Sequence, residues 1–371
     1  MKVTYLVTRA DTIGGSHIHV RDMALALQKE GHRADVIMGG PGPVVDHYRK
    51  FGLAPIIIKS LKRNISPLND FSAYLQIKKE LKRLNPDVVS THSSKAGFLG
   101  RLAASKMGYP VLFTAHGWSF TTGKTGIKTS LFKVLEKWIT PKTDRIITVS
   151  NYDRKLALEH LNVPKHKVLT VHNGMGEIEK KFRADHSKEK PVNIVMIARF
   201  DKQKDHAELL EAVRDIKNIY LHFVGDGPLL KETKQKAKQL GMYQNIKFWG
   251  RLDRVDDVLS KGQIFALISN WEGFPRSTIE AMRAGMPTIV SDVGGSGETV
   301  LHDQTGYVVK KGDVETLRKY VEKLVQDKKL RFEMGIAARK RFEDYFTFDA
   351  MFKKTIGIYN DLLISKEQRG L

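Results

Sequence analysis

Short β-rich runs alternate with amphipathic helical stretches along almost the whole chain, and that alternation restricts it to βαβ units around parallel sheets. Strand candidates in the first half are Lys2–Thr8, Ala34–Met38, Asp87–Thr91, Val111–Ala115, Arg145–Val149 and Val168–Val171. A second series runs Val192–Ile197, Leu221–Val224, Ile246–Phe248, Ile264–Ile268, Thr288–Ser291 and Gly306–Val308. Helical patterns fill the gaps, among them His17–Glu30, Tyr74–Leu84, Ala207–Asp215, Leu229–Leu240, Ser277–Ala284 and Val314–Asp327. At roughly 150 residues per domain, 371 residues suggest two domains. The expected division is 1–175, a linker at 176–190 with a loose charged segment, and 191–347, with a helical tail over 348–371. Two doubly wound domains in tandem bind ligands in the crevice outside their strand C-termini.

Composition removes several chemistries. The chain has no cysteine, so disulfides, thiolate metal sites and cysteine nucleophiles are excluded. No run of eighteen apolar residues occurs and no signal peptide is evident at the start, so a cytoplasmic protein is expected. The net charge is +21, and residues 1–175 hold 27 basic against 12 acidic side chains. A field of that sign attracts polyanions, either nucleic acid or an anionic membrane, although a basic surface also serves solubility alone. No stacking-aromatic stripe or nucleic-acid-binding module is recognisable, so nucleic acid is not the expected partner.

The most informative local stretch is Glu272-Gly-Phe-Pro-Arg-Ser-Thr-Ile-Glu280, a turn leading from a strand into a helix. The start of that helix, near Ser277 and Thr278, offers backbone N–H groups and a positive dipole end to a diphosphate. Glu272 and Glu280 could accept hydrogen bonds from sugar hydroxyls. Ser277-x-x-Glu280 also reads as a capping box, in which the glutamate only satisfies the helix start. Arg199 and Lys204, in the turn after Val192–Ile197, supply two cations able to neutralise a pyrophosphate leaving group. Gly14-Gly15 between the first strand and helix reads as a binding loop or as a plain tight turn. His92 and His116 each follow a strand and could meet a substrate. His17-x-His19 does not read as a metal pair, because the two side chains diverge on a helix. No Asp-x-Asp clamp for a metal-bound diphosphate occurs. Gly123–Lys142 interleaves Lys124, Lys128, Lys133, Lys137 and Trp138 with aliphatic residues; it fits a helix lying on an anionic bilayer and an ordinary crossover helix equally.

Together these positions resemble family 4 of the retaining glycosyltransferases, which have the GT-B fold of two Rossmann-like domains facing a central cleft. The stretch Thr91-His-Ser-Ser-Lys-Ala-Gly-Phe-Leu-Gly-Arg101 with Thr114-Ala-His-Gly117 is similar to the branch that builds capsular, exopolysaccharide and lipid-linked bacterial glycans. The resemblance implies that Glu272 holds the donor sugar, with Gly273 and Phe274 beside it, and that Glu280 binds ribose. Arg199 and Lys204 would hold the diphosphate with Ser277 and Thr278, His116 would contact the sugar, Gly15 would line the reaction centre, and Gly250 and Arg251 would meet the base. Two departures concern loop shape: Ala198 stands where glycine is frequent, and Gly297 precedes Glu298 where proline is frequent. The implied activity is retaining transfer, with no cofactor or metal, from a UDP-linked sugar to a polyprenyl-diphosphate-linked glycan at the inner face of the cell membrane. A non-hydrolysing nucleotide-sugar epimerase is the alternative within the same fold, and a nucleic-acid-binding protein the alternative outside it.

Overall fold

A computed structural model describes residues 1–11, 13–121, 126–186 and 191–368. The chain divides into two compact units, Met1–His172 with Met351–Leu371, and Asn173–Ala350.

The first unit holds strands β1 (Lys2–Val7), β2 (Arg33–Met38), β3 (Ile56–Ile57), β4 (Val88–His92), β5 (Val111–Ala115), β6 (Arg145–Thr148) and β7 (Val168–Thr170). Its helices are α1 (Gly15–Lys29), α2 (Pro43–Lys50), α3 (Pro67–Leu84), α4 (Ser94–Lys106), α5 (Ile127–Ile139) and α6 (Asn151–His160). The strands form one sheet in the order β3-β2-β1-β4-β5-β6-β7, and every neighbouring pair is parallel. β4 and β5 are buried at every position, as expected for strands covered by helices on both faces. Leu6, Val89 and Val111 pack with Ile77 and Leu81 of α3 and Leu99 and Ala103 of α4 to make one core. Phe113, Trp118, Ile146 and Leu156 make a second.

The second unit contains β8 (Val192–Ile197), α7 (His206–Val213), β9 (Ile219–Val224), α8 (Leu230–Gln239), β10 (Ile246–Gly250), α9 (Asp256–Leu259), β11 (Ile264–Leu267), α10 (Arg276–Arg283), β12 (Thr288–Ser291), β13 (Gly306–Val309), α11 (Val314–Gln326) and α12 (Lys328–Tyr345). Its parallel sheet runs β10-β9-β8-β11-β12-β13, with a core of buried residues packed against it. Aspartates start three of its helices: Asp205, Asp313 and Asp327 each accept a bond from a backbone N–H three residues on. The last helix, α13 (Phe348–Gln368), starts within the second unit and ends within the first. Its Tyr359 is buried against Tyr5 and Ser90 of the first sheet.

Two sequence expectations need correction. Residues 177–186 of the expected linker are fastened to the second unit, because their partners lie far along the chain, and 187–190 lie outside the described residues. Ile178 joins the core, Glu177 pairs with Arg339, and the Ala184 amide donates to the Ala284 carbonyl at 2.7 Å. The capping box is also absent: α10 begins at Arg276 behind Pro275, so Ser277 lies inside the first turn and Glu280 is not spent on a cap. Among the described residues, no helix is long and apolar enough to cross a membrane.

Candidate active site

Both sheets reverse strand order beside their first strand, at β1/β4 and at β8/β11, and each reversal is tied across by side chains. Ligands of open α/β sheets bind at such points.

In the second unit, Lys204 and Ser269 form an isolated bridge, Asp205 N–H donates to the Ile268 carbonyl at 2.9 Å, and Asn270 N–H donates to the Gln203 carbonyl at 2.7 Å. These bonds lock the turn after β8 to the turn after β11. Lys204 Nζ donates to Glu272 Oε1, with only 13% and 5% of the two side chains exposed. Gln203 Nε2 donates to the Trp271 carbonyl at 2.9 Å and reaches Glu272 Oε2 at 3.3 Å. Gly294 backs this turn. At φ +57° an added Cβ would sit 1.9 Å from the Glu272 carbonyl oxygen, so only glycine fits. Gly273 and Phe274 continue the turn, where Asn173 Nδ2 donates to the Phe274 carbonyl at 3.0 Å. Beyond Pro275 the first amides of α10 have no acceptor within the helix, and those of Ser277 and Thr278 are among them. Thr278 Oγ1 is buried with no hydrogen-bond partner among the described residues.

Glu280 lies one turn further, near Arg276 and Arg283. Burial lifts its carboxyl above the usual range, while the two arginines pull the other way. Arg199 is half exposed and lies 3.6 Å from Asp201, so of the two expected cations only Lys204 makes an ion pair with Glu272. Gly250, at φ +68°, ends β10 and accepts from the Gly225 amide at 2.8 Å; Arg251 beside it is exposed.

In the first unit the tie is Thr8 Oγ1 to Ser93 Oγ at 2.7 Å. Ser93 has φ 64° and ψ 160°, a region occupied almost only by glycine, so the turn into α4 is strained. Ser93, His116, Gly117 and Ser16 line a small cavity of about 120 Å³. Gly15 opens α1 behind Gly14, and His17 holds that start by accepting from the Gly14 amide at 3.1 Å and meeting the Arg9 carbonyl at 3.0 Å. His19 joins His92 and His116, and one ring nitrogen of each lies within 4.8 Å of the other two. Sequence reading paired His19 with His17 on one helix and so missed this cluster, which only the sheet assembles.

The α5 region carries features of both sequence readings. It is the crossover between β5 and β6, yet it buries Glu136 against Arg101 at 2.6 Å and exposes Leu131, Val134 and Trp138. Lys137 is exposed and Lys133 half-buried, while Lys124 and the Lys128 side chain lie outside the described residues.

The model for glycosyltransferase family 4 matches residues 13–175, and the model for glycosyl transferases group 1 matches residues 177–341. The chain belongs to glycosyltransferase family 4. This glycosyltransferase is 28% identical over 359 residues to an Escherichia coli UDP-Gal:alpha-D-GlcNAc-diphosphoundecaprenol alpha-1,3-galactosyltransferase, covering 92% of both chains. It is 28% identical to the capsular polysaccharide biosynthesis glycosyltransferase CapM of Staphylococcus aureus, covering 84% of this chain and 85% of that one. Among solved structures, a Rickettsia africae glycosyltransferase superposes with a TM-score of 0.81 at 21% identity over 98% of each chain. Anabaena HepE, solved with UDP and glucose, superposes at 0.84 and 16% identity over 97% of this chain and 99% of that one. The two parallel-sheet units of this glycosyltransferase are those of the GT-B fold.

Proposed function

We propose that this glycosyltransferase moves a sugar, with retention of configuration, from a UDP-linked donor to a polyprenyl-diphosphate-linked glycan in surface polysaccharide assembly. The observation that carries the reading is the Lys204–Glu272 pair at the β8/β11 reversal, next to the start of α10. Lys204, aided by Arg199 and the amides of Ser277 and Thr278, neutralises the departing diphosphate. Pre-organised charge of this kind lowers the barrier without reorganising at the moment of reaction. Glu272 orients the sugar hydroxyls, Glu280 accepts from the ribose, His116 contacts the sugar, Gly15 lines the reaction centre, and the backbone at Gly250 and Arg251 receives the base. In this mechanism the diphosphate oxygen takes the acceptor's proton as the anomeric carbon gains oxocarbenium character. The C–O bond to the acceptor forms on the face that the leaving group vacates, so no side-chain nucleophile takes part, and the cations with the helix start stand in the place of a metal ion.

The acceptor assignment draws support from the first unit's surface and from the lipid-linked acceptor named for the E. coli relative. α3 and α5 both pack against α4. α3 exposes Leu68 (86%), Phe71 and Leu75, and α5 exposes Val134 and Trp138, with Lys78, Lys79, Lys82 and Lys137 among them. Aromatic and aliphatic side chains interleaved with lysine suit the inner, anionic face of a membrane.

The test begins with a thermal-shift screen of nucleotide sugars, since a ligand of the folded state raises its melting temperature. Transfer to a lipid-linked acceptor follows, with and without EDTA, and the anomeric configuration of the product is read by NMR. Conversion of the donor without an acceptor, or an inverted product, overturns the reading. Sedimentation with anionic and neutral liposomes at low salt tests the membrane face, and failure to bind the anionic vesicles removes it.

A further inference from the structure

A continuous line of hydrogen bonds runs through the first unit from the last helix to His116. Tyr359 on α13 donates to Ser90 Oγ at 3.2 Å and lies 3.3 Å from the Tyr5 hydroxyl. Ser90 Oγ meets His92 Nε2 at 3.2 Å, and His92 Nδ1 meets His116 Nε2 at 3.0 Å. Tyr5, Ser90, His92 and Tyr359 are all buried, with at most 1% of each exposed. We infer that Ser90 and His92 are positioning residues that fix the tautomer of His116, and that Tyr359 sets the direction of this line from the last helix.

The direction follows from counting protons. A neutral imidazole carries one N–H, so His92 donates to only one of its two neighbours. Burial, together with His116 and His19, holds His92 well below the ordinary imidazole value and keeps it neutral; burial likewise keeps both phenols protonated. With the Tyr359 proton on Ser90, the serine's own proton is directed to His92 Nε2. His92 then carries its hydrogen on Nδ1 and donates it to His116 Nε2, which leaves the His116 proton on Nδ1. His116, which lines the cavity with Ser16 and Ser93, thereby carries its hydrogen on Nδ1. Its use in catalysis rests on the sugar contact proposed above, whereas its tautomer does not.

The experiment is long-range ¹H–¹⁵N NMR of the full chain labelled in histidine, with His116 assigned from the His116→Gln spectrum. The expected wild-type signal is the Nδ1–H tautomer. Ser90→Ala and Tyr359→Phe should shift His116 toward Nε2–H, while Ser90→Thr, which keeps a hydroxyl, restores the original signal. In transfer assays, Ser90→Ala should lower kcat roughly tenfold with the donor KM unchanged, the scale of one lost positioning hydrogen bond. The inference is overturned if wild-type His116 is the Nε2–H form, or if Ser90→Ala lowers the melting temperature without moving the His116 signal. Stoichiometric zinc uptake that disappears in His92→Asn would also overturn it, by making the three imidazoles a metal site. An inactive wild type with the expected tautomer would sink the transfer reading and leave this one standing.

Discussion

Lys204 and Glu272, 68 residues apart in sequence, meet as a buried ion pair where the second sheet reverses its strand order. The lysine proposed to hold the diphosphate is therefore already engaged by the carboxylate proposed to hold the sugar. A donor that binds at this point draws on both partners at once.

Replacing Lys204 by alanine should reduce kcat by at least two orders of magnitude, on the scale of a lost charge-stabilising donor. It should also lower stability by about 3–5 kcal/mol, because the buried Glu272 loses its counter-charge. Steady-state kinetics and urea unfolding measure the two effects, and a Lys204→Ala, Glu272→Gln double variant should recover stability without recovering turnover. Wild-type turnover in the single variant would refute the role of the lysine.

Glu280→Gln should separate binding from folding. The native carboxyl is raised by burial, so its ionised form is a cost to the fold, and the amide removes that cost. The melting temperature should hold or rise while the donor KM increases roughly tenfold, as expected for one lost hydrogen bond to a charged group. A large fall in melting temperature would mean that Glu280 is structural.

How much of this was legible from the sequence depends on how local each signal is. β8, β11 and the turns after them follow from β-branched runs ended by polar turns, and so the stretches holding Lys204 and Glu272 could be found without coordinates. The two-residue β3 carries too little pattern to register, and α12 follows α11 at a single aspartate, Asp327, that both ends the one and caps the other. The histidine cluster was illegible for another reason. His19, His92 and His116 come from a helix start and two strand ends, and only the strand order brings them together. On α5, lysines interleaved with apolar residues gave no sign of the buried Glu136, because its partner is Arg101 on another helix.

That pair makes a further prediction. Arg101 is fully buried, bonded to Glu136 at 2.6 Å and to the Gly97 carbonyl at 2.8 Å, with its guanidinium 4.0 Å from the Phe113 ring centroid. Glu136→Ala should destabilise the first unit by about 3–5 kcal/mol through the stranded cation. Replacing both residues, as Arg101→Met with Glu136→Leu, should cost less than the single change. Chemical denaturation of the three proteins decides it, and a double variant weaker than the single one would contradict the pairing.

The second unit should lose stability in acid. Burial pushes His206 down to about 3 and His222 to about 4. Unfolded histidine binds its proton near 6.5, so the unfolded chain takes up more protons below that value. The stabilisation is complete above about pH 6.5 and fades as the pH falls toward 4 and then 3, by up to about 1.4 kcal/mol per pH unit for each group. Melting curves from pH 8 to 4 should show the slope, and His222→Gln should make it shallower. A flat profile over that range would rule the mechanism out.

The route of α13 has a practical consequence for anyone dissecting this enzyme. Met175 and Thr347 are bridged side by side, yet the helix that starts one residue later finishes as an inner layer of the other body, with Tyr359 and Leu362 shut away from water. A clone ending at residue 172 would lack part of its own interior, and deleting the final twenty residues would gut the amino-terminal half while leaving the carboxy-terminal half whole. A self-sufficient amino-terminal fragment has to be spliced, with residues 351–368 joined back onto it.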